Sequence, residues 1–283
     1  MIALWHQALQ ALPGEWAQYA FMRQALLAIV LITPVCALLG CLVINKHMAF
    51  FSDAVGHSAL TGIACGVLLG VAQPRPAMLL FAVVFALGIS VCRRYAAASL
   101  DTIIGMAMAC SVALGIVILS RQGGFQHYTA FLIGDILTVT PDEIRLLAGV
   151  AGVVLISMTL LFNRLLLTSV SGALAISRGV PVWLLDTLLA LLVALFVMLC
   201  IPWIGLLVIN SLLLLPAAAA RNIARSTRGY VAWAIAIGLM SGVAGVVLSY
   251  YWATATGATI VLVAAALFVL SLSWPRRSAW TSR

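Results

Sequence analysis

The sequence predicts an all-α polytopic membrane protein, one membrane domain of about eight or nine transmembrane helices. Three observations carry this. First, 65% of the 283 residues are hydrophobic and 8% are charged, and the mean hydropathy is +1.20. A soluble domain carries about 45–50% apolar and about 25% charged residues, so the polar side chains here are too few to cover the apolar ones in water. That excludes a water-soluble enzyme, a nucleic-acid module and a disordered chain. Second, apolar runs near the roughly 20 residues needed to cross hydrocarbon recur along the whole chain. Third, Lys and Arg fall in the connections between them. Fifteen cations against seven acids give a charge of +8, the balance of loops facing the cytoplasm rather than a nucleic-acid footprint.

Taken in order, the first 21 residues hold two Trp, a His, a Pro and Glu15. They lack a basic segment followed by a clean apolar core, so they read as an interfacial segment and not as a cleaved signal peptide. Candidate spans lie near 22–44, 53–72, 74–92, 102–120, 144–163, 181–200, 203–220, 229–250 and 257–274, within a membrane domain of residues 22–275. Residues 128–140, with Gly134 and Asp135, are too short to cross and read as an interfacial or re-entrant helix. Neither Asp135 nor His127 has a role assigned. Residues 276–283 form a cytoplasmic tail. With the loop 164–180 inside, the inside segments carry Lys46, Arg93, Arg94, Arg164, Arg178, Arg221, Arg225, Arg228, Arg276, Arg277 and Arg283. Arg23, Arg75, Arg121 and Arg145 are left outside. The N-terminus is then outside and the C-terminus cytoplasmic. The six cysteines sit in apolar stretches without a C-x-x-C pair, which suits small buried hydrophobes.

Polar groups inside a membrane are costly, so each needs a reason. The densest window is FSDAVGHSALTGIACGVLLG, residues 51–70. Asp53 and His57 are four apart and project from one helix face, one turn apart. A carboxylate and an imidazole so placed can share a divalent cation, zinc or manganese. The same window carries Gly62, Gly66 and Gly70. Nine residues separate Asp53 from Gly62, about half a revolution at about 100° per residue. The glycine strip therefore faces away from the Asp/His pair, where it admits a close helix neighbour and leaves the polar side to a lumen. The alternative is a helix-end Asp and a His bonded to a nearby carbonyl. Residues 164–180, with small residues and two Arg before Pro181, read as a short amphipathic helix at the cytoplasmic face, either a docking element or a solvated connection. In residues 202–228, Pro216 within an apolar run and the mid-span Asn210-Ser211 predict a kinked or broken helix. The sequence has no G-x-x-x-x-G-K-[ST], H-E-x-x-H or G-x-S-x-G, so neither P-loop ATP hydrolysis nor intramembrane proteolysis is supported.

Four stretches in order resemble the membrane-spanning permease subunit of bacterial metal-ion (zinc/manganese/iron) ABC importers: FFSDAVGHSALTGIACGVLLG, SLDTIIGMAMACSVALGIVILS, FLIGDILTVTPDEI and residues 170–270 with IGLLVINSLLLLPAAAARNIARS. The resemblance implies a type II importer-like permease that is itself no enzyme. It implies Asp53 and His57 as metal-coordinating residues of the path. It also implies a coupling element at about 169–180, with Ser171, Ala175, Ser177, Arg178 and Gly179 facing an ATP-binding subunit. Two departures stand out: Val170-Ser171 replaces the family's Phe-Asp, and Thr61 replaces a proline. The implied partners are a second permease copy, a dimer of cytoplasmic ATP-binding subunits and an extracytoplasmic metal-binding protein. The metal is cargo, with no cofactor held permanently and ATP on the partner. The competing classes are a secondary cation carrier working without an ATPase and a membrane scaffold with no path. An Asp/His pair suits zinc, manganese and iron alike, so the residues do not choose the metal.

Overall fold

The computed structural model describes residues 15–71, 73–122 and 134–273. Residues 1–14 of the interfacial segment, His127, residues 128–133 of the expected re-entrant helix and the tail 276–283 lie outside the described residues. Each of the nine apolar stretches forms a long helix: α1 Ala20–Asn45, α2 Ala49–Leu68, α3 Pro74–Tyr95, α4 Leu100–Gln122, α5 Pro141–Val170, then, after the short α6 Gly172–Ser177, α7 Val182–Ile204, α8 Leu206–Ile223, α9 Thr227–Trp252 and α10 Thr256–Leu272. Seven are long and apolar enough to cross a membrane. The exceptions are α10, at 17 residues, and α2, whose Asp53, His57, serines and glycines dilute its apolar content. The described part of the re-entrant stretch is a single 3-10 turn, Ile136–Thr138, capped by the Asp135 carboxylate accepting from the Leu137 N–H at 3.0 Å.

The chain divides into two compact units. The first takes the described residues of Met1–Ile44, Asp135–Leu155 and Leu207–Arg283. Its core joins Ala37 and Cys41 of α1 to Ala217, Ala219 and Ala220 of α8 and to Tyr230, Ala234 and Ile237 of α9. Small side chains let these helices approach: a Cβ on Gly238 would stand 2.5 Å from Thr33 Cγ2 of α1, and one on Gly245 would stand 2.5 Å from Ile260 Cα of α10. Asn222 Nδ2 donates to Ser271 Oγ at 2.9 Å and ties α8 to α10.

The second unit takes the described residues of Asn45–Gly134 and Ile156–Leu206. In it α2 packs against α3, α4 and α7. The glycine face of α2 meets α3: a Cβ on Gly62 would lie 2.8 Å from Met78 Cα, and one on Gly66 would lie 2.6 Å from Ala77 Cβ. The third glycine departs from expectation. α2 ends at Leu68, and Gly70 follows it at φ +68° with open space around it. The Val71 N–H donates to the Gly66 carbonyl and the Gly70 N–H to that of Val67, the hydrogen bonds of a Schellman cap. Gly70 therefore terminates the helix and packs nothing. On its other flank α2 meets α4, where the Thr61 hydroxyl donates to the Ser111 carbonyl and the Ser111 hydroxyl to Thr61 Oγ1 at 3.2 Å. The residue that departs from the family's proline thus bridges two helices.

The helix interruption within residues 202–228 falls near the boundary of the spans expected at 181–200 and 203–220, and not at Pro216. Pro216 sits inside the continuous α8, whereas the chain breaks between α7 and α8 at Gly205, with φ +87° and ψ 151°. That region belongs essentially to glycine. A Cβ on Gly134 would stand 2.5 Å from Gly205 Cα and 2.7 Å from the Ile201 carbonyl oxygen, so both glycines are fixed by their close approach. The proline's missing N–H is the louder sequence signal, but the backbone yields where no Cβ resists.

Candidate metal path and coupling element

From Phe51 to Ala64 every residue of α2 is buried except two, Asp53 and His57. Their side chains are 39% and 40% exposed, and Asp53 Oδ1 lies 3.7 Å from His57 Nε2. This separation is too long for a hydrogen bond. It suits two donors on one ion, since ligand bonds of about 2.1 Å at a tetrahedral angle put donor atoms about 3.4 Å apart. The alternative of an imidazole bonded to a neighbouring carbonyl finds no such bond among the described residues: the contact resolved for His57 is Asp53. Among the described residues no group of three or more His, Cys, Asp or Glu could hold a metal ion. Among the described residues this window therefore presents two potential donors, Asp53 and His57.

The stretch expected to couple is α6, a helix of six residues. Ser171 caps it, its hydroxyl accepting from the Leu174 N–H at 3.2 Å. Gly179, at φ +69°, ends it, with the Val180 N–H donating to the Ala175 carbonyl at 3.0 Å. Ala173, Leu174, Ile176, Ser177, Arg178 and Gly179 are exposed, while Ala175 is fully buried. Ala175 therefore faces its own chain, which corrects its assignment as a contact residue: at about 100° per residue it points away from Ala173 and Ser177. Ser171 spends its hydroxyl on the cap. The exposed apolar residues Leu174, at 45%, and Ile176, at 68%, are absent from the residues predicted to face a partner.

Beside α6 lies a cleft of about 830 Å³, lined in part by Met48, Ser90, Arg93, Arg94, Ile176, Gly179, Trp183 and Asp186. The Arg94 guanidinium stands 5.6 Å from the Trp183 ring centroid, and the Trp183 indole N–H donates to the Ser90 carbonyl at 3.4 Å. Within the cleft wall Asp186 accepts from two cations. Lys46 Nζ donates to Oδ1, and Arg93 Nη1 donates to Oδ2 at 2.9 Å. Lys46 Nζ also donates to Thr168 Oγ1 at 2.7 Å. Burial pulls the Lys46 ammonium below its ordinary pKa, and the hydrogen bond and charge of Asp186 hold it up. Sequence reasoning counts Lys46 and Arg93 as loop charges and passes over Asp186.

Residues 18–274, which contain every one of these elements, match the family described as the ABC 3 transport family. The chain belongs to the ABC 3 transport family. Among its relatives is the high-affinity zinc uptake system membrane protein ZnuB of Haemophilus influenzae, 34% identical over 90% of this chain and 97% of that protein. Another is the manganese transport system membrane protein MntC of Halalkalibacterium halodurans, 29% identical over 89% of this chain and 87% of that one. The solved structure of PsaBC from Streptococcus pneumoniae in complex with Fab resembles it at a TM-score of 0.78 and 28% identity, covering 96% of this chain and 95% of that one. Membership in the ABC 3 transport family makes the protein a multi-pass membrane permease, so its half-exposed Asp/His pair belongs to a chain built for transport.

Proposed function

We propose that this protein is the permease subunit of an ATP-driven importer that carries a divalent transition metal, zinc or manganese, across the cytoplasmic membrane. The observation that carries the reading is the break in the buried stretch of α2 from Phe51 to Ala64, occupied by Asp53 and His57. A lone carboxylate and imidazole in an otherwise buried stretch of a membrane protein's helix are costly without a cargo. Borderline cations such as zinc and manganese suit this donor set. Zinc and manganese also appear in the names of the relatives.

Two donors per chain call for more from elsewhere, and a second permease copy facing this window would bring a second Asp/His pair. The exposed residues Leu174, Ile176, Ser177 and Arg178 of α6 offer a surface to a cytoplasmic ATP-binding subunit. A pair of such subunits would drive the cycle, and an extracytoplasmic protein would deliver the ion. Arg93, Arg94 and residues at the end of α6, all counted inside by charge, line one cleft, which supports placing them on the same side of the membrane.

The test is reconstitution of the permease with its ATP-binding subunit and binding protein in vesicles, with zinc, manganese and iron offered in turn. ATP-dependent uptake of zinc or manganese is expected. Uptake by the permease alone, driven by an ion gradient without ATP, would instead establish a secondary carrier.

A further inference from the structure

Four chain segments meet around the Lys46–Asp186 pair. Lys46 lies in the turn between α1 and α2, seven residues before Asp53. Arg93 lies in the last turn of α3. Thr168 lies near the end of α5, just before α6, and Asp186 lies in the opening turns of α7, just after it. Lys46 donates to both Thr168 and Asp186, so one ammonium grips the chain on either side of α6. Its side chain is 5% exposed and that of Asp186 is 11%, whereas Arg93 is 42% exposed. A displacement of α6 that carried its flanks along would have to move Lys46 or break its bonds, and Lys46 leads through Met48 directly into the helix of Asp53 and His57.

We infer that Asp186 is a positioning residue for transport: with Lys46 it ties the two flanks of α6 to the start of the metal-bearing helix, so that movement at α6 is delivered to Asp53 and His57. This rests on the importer reading above. Asp186 touches neither ion nor ATP in this role; it acts through Lys46. Stability alone gives no reason for the pair, because a buried ion pair replaced by apolar side chains is often neutral or stabilising. Removing one partner is different, since it strands a buried charge. Arg93, being partly exposed, can be solvated once Asp186 is gone.

The experiment uses the whole complex in vesicles and compares wild type with Asp186→Asn, Asp186→Glu and the paired variant Lys46→Met with Asp186→Leu. Yield of assembled complex, melting temperature, ATP hydrolysis with and without metal-loaded binding protein, and metal taken up per ATP are read for each. Asp186→Asn is expected to lose yield. The paired variant is expected to assemble and melt as wild type yet show at least a tenfold loss in metal taken up per ATP. Asp186→Glu is expected to restore most of that ratio. A paired variant with wild-type yield and wild-type uptake per ATP overturns the inference. A paired variant that loses yield and uptake in proportion overturns it too, because the cluster is then structural only. If the wild-type complex itself takes up no metal, it is the importer reading that fails, whereas the inference fails only against a wild type that transports.

Discussion

Asp53 and His57 carry opposite obligations from their neighbours on α2: they stay accessible while Phe51, Ala54, Val55 and Ser58 are closed in around them. The glycines on the far side make that closure possible, and they differ among themselves. Gly66→Leu drives four heavy atoms towards Ala77, whose Cβ would stand only 2.6 Å from the first of them; overpacking of this kind costs about 1–3 kcal/mol. A lower melting temperature and lower yield are expected. Gly70→Asn should be nearly silent, because the site is open and Asn accepts the left-handed backbone of a helix end. Equal losses from the two changes would contradict the division between packing and capping. The Asp/His pair is legible in the sequence because four residues on a helix is a local relation. Asp186 is not, because its partners Lys46 and Arg93 are 140 and 93 residues away, and only the fold brings their charges together.

At the scale of elements, periodic apolar runs place all nine long helices, since the length of a crossing is set by the hydrocarbon and not by tertiary contacts. What the sequence hides is where a backbone bends and which face of a short helix is spent inward. Proline announces itself at Pro216, yet the break falls at Gly205, where φ +87° is needed and no Cβ is present. Gly205→Ala should therefore cost about 1–3 kcal/mol, read as a fall in melting temperature larger than that of Pro216→Ala. On α6 the exposed and buried positions make a sharper test. Cysteines at Ala173 and Ser177 should cross-link to the ATP-binding subunit, and a cysteine at Ala175, fully buried, should not. Cross-linking at all three would contradict the division of α6 into an exposed and a buried face, whereas labelling of Ala173 from outside the cell would remove α6 as the contact and reverse the proposed topology.

For the whole molecule, the Asp53/His57 window, the exposed residues of α6 and the Lys46–Asp186–Arg93 cluster lie within the same compact unit, Asn45–Gly134 and Ile156–Leu206. An importer needs the chemistry of cargo and the grip of the motor to be mechanically continuous, and the proposed assignments put both in this unit. The central claim is that Asp53 and His57 meet the ion. Its most direct measurement is metal uptake set beside complex yield for Asp53→Asn and His57→Ala in the reconstituted importer. Asn keeps the shape of Asp and removes its charge, and Ala removes the imidazole nitrogen. Normal yield, retained basal ATP hydrolysis and uptake reduced at least a hundredfold is the predicted result. Normal uptake in both variants, or uptake that falls only in proportion to yield, would contradict the account.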